Sequence, residues 1–334
     1  MRPDPNHIVE MSSAFYGSAI LFAASDLGVF GALAAGPKKG PQLAEELKLD
    51  GRAARILLDG CVTLGLLEKT PEAMYANPPA SAAFLAPGSP GDLSSAIRYN
   101  RDVYPAWGRL ADFVRSGQPA ERPELHLGED AQRTRTFVLS MHGRAMGIGR
   151  AIVPMLDLKG RRRLLDVGGG PGTWSVLIAQ AHPEIHCTVL DLPPVAAIAS
   201  ELIAGQGMSA RVETMAGNYH DTPFPAGVDV VNFFGMLHQE SPDGIRGLMR
   251  KAYNALEPGG MVQVLDMMTD ATRTQPPFSA LFAVNMALTT RNGWVFSDAD
   301  LKEWMEEAGF VDFACRPAPP PMPHWLATAR KAGT

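Results

Sequence analysis

The chain of 334 residues has few cysteines, few aromatic residues and no excess of basic charge. Its three cysteines, Cys61, Cys187 and Cys315, are too few and too far apart to predict a disulfide or metal framework. A net charge of −5 argues against a general nucleic-acid binder, which carries a basic face. We see no apolar run close to the ~18 residues of a membrane helix, and the first residues lack a signal-peptide layout. We therefore expect a cytoplasmic protein that binds neither nucleic acid nor membrane.

The N-terminal third of the chain is dominated by helical patterns. Three such patterns and a short hairpin cover residues 8–35, 42–49, 53–67 and 66–76. Helix, helix, helix and hairpin is the order of a winged-helix domain, which we assign to residues 1–105. Residues 106–155, which include most of a long helical pattern starting at 134, are predicted to form a helical connection.

From Arg163 onward the pattern changes to strands that alternate with helices. The strand-like runs are residues 164–167, 185–190, 212–216, 228–234, 262–267, 310–316 and 324–330. The helical patterns between them include residues 241–256 and 298–308. This alternation predicts an α/β fold with a parallel, doubly wound sheet over residues 156–334. The last two strands have no helix between them, which predicts an antiparallel hairpin at the edge of the sheet.

A glycine-rich turn, Asp-Val-Gly-Gly-Gly-Pro-Gly at residues 166–172, ends the first of these strands. Glycine lets the backbone turn sharply and lets a ligand approach the main chain, and the following helix offers free N–H groups at its start. A dinucleotide-binding turn would place a sixth-position glycine at Thr173. The observed spacing of Gly168, Gly170 and Gly172 after Asp166 is that of methyltransferases. It predicts a site for S-adenosylmethionine.

Two further strand ends supply candidate cofactor contacts. Asp191 ends the second strand and is followed by Leu192, so its carboxylate could accept hydrogen bonds from two ribose hydroxyls, or could cap the next helix. Gly-Asn-Tyr at residues 217–219 follows the third strand. We expect Asn218 to meet the adenine edge and Tyr219 to stack on the base; the alternative is an ordinary turn.

With these motifs the chain resembles, over almost its full length, the plant-type and bacterial small-molecule O-methyltransferases. That family joins a winged-helix-like dimerisation domain to a class I, Rossmann-like methyltransferase domain. The resemblance implies a homodimer, S-adenosylmethionine as cofactor and a small aromatic hydroxyl as methyl acceptor. It also implies that His238 is the catalytic base and that Asp266 orients it. Phe234 stands where the family often has a lysine that helps bind the cofactor.

Four positions depart from the family pattern. Besides Phe234, Asn218 and Gln239 each replace an aspartate, and a second family acid falls near Val295. These changes keep open two alternatives within the family: transfer to a carbon of a tetrapyrrole or polyketide, and chemistry without a base. From other classes, a DNA-binding regulator and a cofactor-binding scaffold remain as competitors.

The acceptor is expected between two helical segments. Met141 matches a family position on a helix that covers cofactor and acceptor, and His142 follows it. The segment that resembles the acceptor wall carries Phe282, Asn285, Met286 and Thr290. A stripe of this kind is also typical of a buried core. An apolar wall favours a flat, hydrophobic acceptor, and without a cluster of Asp and Asn residues we expect no metal.

Overall fold

The computed structural model describes residues 5–89, 91–320 and 322–333. The chain forms two compact units, Met1–Arg101 and Asp102–Thr334. The first four residues, part of the start of the chain that argued against a signal peptide, lie outside the described residues. Each unit has a hydrophobic core of its own.

The first unit is mostly helical. Its elements are α1 (Asn6–Ser13), α2 (Phe15–Asp26), α3 (Val29–Ala32), β1 (Lys38–Lys39), α4 (Gly40–Glu46), α5 (Gly51–Thr63), β2 (Glu68–Lys69), β3 (Met74–Ala76), α6 (Pro79–Phe84) and most of α7 (Ser94–Trp107). In place of the single helix predicted over residues 8–35, the structure has three. Ala14 separates α1 from α2, and Gly28, with a positive φ of 75°, separates α2 from α3. The three strands pair antiparallel in the order β1-β3-β2. Strand β1 was not predicted, since two lysines give no strand pattern.

The core of this unit joins α2, α3, α4, α5 and β3. Its fully buried side chains include Phe30, Leu43 and Leu58, with the ring of Tyr75 from the hairpin packed among them. The first unit thus consists of helices packed on a short hairpin, and the predicted, mostly helical N-terminal domain is confirmed.

One helical stretch corrects an expectation. Among the described residues, Asn6–Asp26 is long and apolar enough to cross a membrane by length and composition. The expectation that no such segment exists is therefore wrong. Glycine, alanine and serine lie among the larger apolar residues here. The mean hydropathy is therefore high, although the segment contains no long unbroken apolar run.

The second unit contains a seven-stranded sheet covered by helices. After α8 (Leu110–Ser116) and α9 (Ala131–Ile152), the chain forms β4 (Arg163–Val167), α10 (Thr173–Ala181), β5 (His186–Asp191), α11 (Pro193–Gly205), β6 (Val212–Ala216), β7 (Val228–Phe234), α12 (Pro242–Ala255), β8 (Leu256–Asp266), α13 (Pro277–Thr289), α14 (Asp298–Glu307), β9 (Phe310–Pro317) and β10 (Trp325–Lys331). The strand order is β6-β5-β4-β7-β8-β10-β9. The first five strands in that order pair in parallel, whereas β10 pairs antiparallel with both β8 and β9. The predicted parallel sheet and its antiparallel final hairpin are confirmed.

Both faces of the central strands are buried beneath helices, as expected of a parallel sheet. One polar row interrupts this apolar interior. Asp166, Asn232 and Gln263 are neighbours on β4, β7 and β8, and all three are fully buried. Both polar atoms of the Asn232 side chain lack a hydrogen-bond partner among the described residues.

Candidate active site

The carboxyl ends of the parallel strands meet at one edge of the sheet, where α/β proteins bind their ligands. The glycine-rich turn between β4 and α10 lies at this edge, with positive φ at Gly168, Gly170 and Gly172. A Cβ on Gly172 would stand 2.9 Å from Ile203 Cδ1, whereas a Cβ on Gly170 would meet nothing within 4 Å. The turn is therefore packed against the protein at Gly172 and open at Gly170.

Asp166 supports this turn from beneath. Its carboxylate accepts a hydrogen bond from Ser175 Oγ on α10 at 2.7 Å, and a Cβ on Gly169 would come within 2.8 Å of it. Burial raises the pKa of this carboxyl to about 7, despite the hydrogen bond from Ser175. The structure therefore places Asp166 inside the fold, behind the turn that it holds.

Asp191 connects the glycine turn to the next helix. One carboxylate oxygen accepts the N–H of Gly170 at 2.8 Å, and the other accepts the N–H of Leu192 at 2.7 Å. Burial raises the pKa of Asp191 to about 6, and the two backbone hydrogen bonds oppose that rise. The side chain of Leu192 packs against Val138 of α9 and Val195 of α11. Asp191 and the open side of the glycine turn are thus brought together.

The turn after β6 holds Asn218 and Tyr219. The side chain of Asn218 is used locally, since its Oδ1 accepts the N–H of His220 at 2.9 Å. The hydroxyl of Tyr219 donates to Glu240 Oε1 at 2.7 Å, and burial raises the pKa of this phenol.

Phe234, at the end of β7, is a core residue. It is 6% exposed, and its ring lies 5.3 Å from that of Trp174 in an edge-on contact.

His238 and Asp266 form a buried pair at the ends of β7 and β8. His238 lies in a one-turn 3₁₀-helix, Leu237–Gln239, and its Nδ1 is 2.6 Å from Asp266 Oδ1. The same carboxylate accepts the backbone N–H groups of His238, at 3.3 Å, and of Met267, at 2.8 Å. Three contacts to one carboxylate fix both side chains, and no bond to His238 Nε2 is found among the described residues.

Helix α9 carries the two residues predicted near the acceptor, Met141 and His142. His142 Nδ1 is 2.7 Å from the hydroxyl of Thr173, the fully buried first residue of α10. Burial lowers the pKa of His142. The structure therefore joins His142 to the end of the glycine-rich turn, a partner that the sequence did not indicate.

Helix α13 carries three of the other four, and Thr290 follows its last residue. The ring of Phe282 lies 5.2 Å from that of His238 and perpendicular to it. Asn285 is buried and its Oδ1 accepts the indole N–H of Trp107 at 3.0 Å. Met286 is also buried, and Thr290 donates its hydroxyl to the Met286 carbonyl. Of these four, Phe282 contacts His238 directly.

Two residues that sequence reasoning missed lie beside the His238–Asp266 pair. Glu240 follows His238 by two residues, and His324 precedes β10, whose Trp325 is paired with Asp266. Burial lowers the pKa of His324 to about 4, the charges of Asp266, Arg144 and His238 also act on it, and its Nδ1 has no hydrogen-bond partner within the described chain. The position of His324 could have been predicted from the final hairpin, because the last strand, β10, pairs with β8 and so begins beside Asp266. Val295, near the position of the second family acid, is a buried core residue.

The overall fold is that of the S-adenosylmethionine-dependent methyltransferases. The structure matches that of human N-acetylserotonin methyltransferase in complex with SAM with a TM-score of 0.88 and 27% identity, covering 100% of this chain and 99% of the other. Residues 107–311 match the O-methyltransferase domain, and residues 9–87 match the O-methyltransferase dimerisation domain. The chain therefore belongs to the O-methyltransferase family and is an S-adenosylmethionine-dependent methyltransferase. The predicted family, enzyme class and cofactor are confirmed.

Individual relatives act on different atoms. The chain is 32% identical to the 3-hydroxy-5-methyl-1-naphthoate 3-O-methyltransferase of Streptomyces sahachiroi, over 91% of this chain and 89% of that protein. It is 31% identical to the L-tyrosine C(3)-methyltransferase of Streptomyces lavendulae, over 87% and 82%. Membership of the family therefore leaves the accepting atom to be argued from the site.

Proposed function

We propose that the protein transfers a methyl group to the hydroxyl of a small aromatic acceptor, and that His238 removes the proton of that hydroxyl. The observation that carries the proposal is the short contact between His238 Nδ1 and the buried carboxylate of Asp266. A carboxylate behind Nδ1 holds that nitrogen as the N–H and leaves Nε2 as the acceptor.

The chemistry requires little more of these two side chains. A phenol has a pKa of about 10, so its oxygen is largely protonated at neutral pH, and a neutral imidazole can take the proton as the new bond forms. The imidazolium that results is stabilised by the carboxylate of Asp266, which is held by two backbone N–H groups. His238 is thus the catalytic base and Asp266 its positioning residue.

The cofactor is proposed to lie on the open side of the glycine turn. The fit rests on Gly170, where a Cβ would enter open space, and on the adjacent carboxylate of Asp191, which can accept hydroxyl protons beyond its two backbone bonds. Gly168 and Gly172 shape the turn, and Asp166 supports it. Leu192, Asn218 and Tyr219 border it, with Phe234 behind in the core. When bound, S-adenosylmethionine supplies the methyl group as a sulfonium.

The acceptor is proposed to lie against α9 and α13. The perpendicular ring of Phe282 beside His238 offers an aromatic ligand an edge or face to pack on. Met141 and Met286 add polarisable apolar surface, while His142, Asn285 and Thr290 are the polar side chains of these segments. We infer a flat, mostly hydrophobic acceptor with a hydroxyl directed at His238.

A homodimer is the proposed assembly. No residue of α1 and only Ala24 of α2 is buried, and the exposed large apolar residues on these helices are Ile8, Val9, Met11, Phe15 and Tyr16. Most of this surface falls within the dimerisation-domain match, so a second copy is the proposed occupant, in place of a membrane, and the enzyme is proposed to act in the cytoplasm. Light scattering of the full chain should report about twice 35.8 kDa, and a monomer at micromolar concentration would refute this.

The test of the base uses His238→Ala and Asp266→Asn with labelled cofactor and a panel of naphthols, phenols and quinols. Both variants should lose about 10²–10⁴-fold in turnover while binding S-adenosylhomocysteine as the parent does in calorimetry. His186→Ala is the matched control, because His186 begins β5 at the opposite end of the sheet and is exposed. Full turnover by His238→Ala would exclude the base.

A second candidate function is methylation of an electron-rich carbon. Val295 and Gln239 favour it, because the chain lacks two acids of the family pattern near the base, and one relative is a tyrosine C(3)-methyltransferase. A carbon acceptor such as a phenol ring would still form product with His238→Ala if the phenol ionises by itself. Mass spectrometry that locates the methyl on carbon in such a reaction would move this candidate ahead.

A further inference from the structure

Glu240 is a buried carboxylate that joins two parts of the site. Its side chain is 9% exposed. Oε1 accepts the hydroxyl of Tyr219 at 2.7 Å, and Oε2 lies 3.1 Å from Nε2 of His220. Both partners belong to the turn that follows β6, whereas Glu240 itself follows His238 by two residues. One side chain therefore spans from the base to the turn that borders the cofactor.

The backbone of Glu240 is fixed independently of its carboxylate. The indole N–H of Trp294 donates to the carbonyl of Glu240 at 2.8 Å, and the backbone N–H of Trp294 donates to the carbonyl of His238 at 3.0 Å. Trp294 thus holds the short segment from His238 to Glu240 from the other side. Because Trp294 binds the carbonyls of both residues, a displacement of this segment would move Glu240 and the imidazole together.

The surroundings leave room for this carboxylate. A Cβ on Gly244 would lie 2.7 Å from Glu240 Oε2, so a larger residue at the start of α12 would displace it. From the same helix, the ammonium of Lys251 donates to the carbonyls of Tyr219, His220 and Thr222. The carboxylate of Glu240 therefore contacts the side chains of the turn after β6, and the ammonium of Lys251 binds the carbonyls of the same turn.

We propose that Glu240 is a positioning residue that couples the cofactor-side turn at Tyr219 to the base His238. The proposal rests on the proposed function, since it takes His238 as the base and Tyr219 as a cofactor neighbour. The family often has an aspartate directly after the histidine, where this chain has Gln239. Glu240 supplies a carboxylate one residue later, and this carboxylate contacts the turn after β6.

The variants Glu240→Ala, Glu240→Gln and Tyr219→Phe separate the contributions. Glu240→Ala removes both contacts, and it should weaken S-adenosylhomocysteine binding about tenfold and lower kcat by a similar factor, as expected for a lost bond to a charged group. Tyr219→Phe keeps the ring but removes the donor, so it should reproduce the loss of binding. Glu240→Gln keeps an acceptor for Tyr219 and should restore most of the affinity. Glu257→Ala, at the exposed start of β8, is the control.

A double-mutant cycle with His238→Ala distinguishes positioning from a general structural effect. If Glu240 acts on the rate through His238, Glu240→Ala should lower kcat in the parent but not further in His238→Ala. It should weaken S-adenosylhomocysteine binding equally in both backgrounds. An additive loss of kcat, or Tyr219→Phe and Glu240→Ala both within twofold of the parent in affinity and rate, would overturn the proposal.

The same experiments separate this proposal from the proposed function. Full turnover by His238→Ala alone refutes the base, while calorimetry on Tyr219→Phe still decides whether the turn depends on Glu240. Loss of turnover in His238→Ala with no effect of any Glu240 variant refutes only the role of Glu240.

Discussion

Asp166 is a buried acid whose replacement has a calculable effect on stability. It is fully buried in the polar row on β4, β7 and β8, and its other oxygen, Oδ1, has no partner within the described residues. Its pKa is raised from 3.8 to about 7. Between these pH values the folded protein holds a proton that the unfolded chain has lost. The free energy of unfolding therefore falls as the pH rises from 3.8 to 7.

The size of the effect follows from those two pKa values. Between pH 5 and pH 8, titration of Asp166 alone lowers the free energy of unfolding by about 2–3 kcal/mol. Asp191 acts in the same direction, with its pKa raised to about 6. Asp166→Asn replaces the carboxyl with a neutral group of the same shape. The variant should therefore gain about 2–3 kcal/mol relative to the parent between pH 5 and pH 8.

Urea denaturation of the cofactor-free protein at the two pH values, followed by far-UV circular dichroism, measures this gain. The cofactor is left out because its binding adds stability of its own. Ser175→Ala is the matched control, since it removes the hydroxyl that donates to Asp166 but keeps the titrating carboxyl, and so a pH dependence of the same sign. Stability differences between Asp166→Asn and the parent that are equal at pH 5 and pH 8 would refute the reasoning.

Three further outcomes test the rest of the site and the assembly. Asp191→Ala should weaken S-adenosylhomocysteine binding in calorimetry by about 1–3 kcal/mol, and unchanged affinity would exclude the ribose role. Gly172→Ala should lower both the melting temperature and cofactor affinity, because its φ is 71° and a Cβ would press on Ile203; a variant with parental values would contradict this. Phe15→Asp combined with Tyr16→Asp should yield a monomer in light scattering, whereas a persistent dimer would place the interface elsewhere.

The order of the strands and helices could be predicted, because the periodicity of the apolar residues and the positions of the glycines indicate it. Strands β6 and β7 have the predicted bounds, and the final hairpin followed from the absence of a helix between its strands. The start of β8 was misplaced by six residues. Its first residues, Leu256 to Gly260, include Pro258 and two glycines, which read as a turn, although the backbone there still pairs with β7 at Leu256.

The partners of the site residues were less predictable than the residues themselves. Sequence position placed His238 and Asp266 at adjacent strand ends, and the structure brings them into contact. The sequence did not indicate that His142 would form a hydrogen bond with Thr173, because that contact depends on how α9 crosses α10. Glu240 was also invisible, since its partners come from a turn about 20 residues earlier in the chain.

The position of β10 bears on how the enzyme is made. This strand lies inside the sheet, between β8 and β9, yet it is the last of the seven to leave the ribosome. Until then β8 has a free edge, and Asp266 lacks the neighbouring strand that pairs with it through Trp325. A nascent chain therefore cannot complete the sheet beside Asp266 before residues 325–330, which pair with β8, have emerged. A chain truncated within the β9–β10 hairpin would therefore be expected to aggregate, and not to fold into an enzyme of reduced activity.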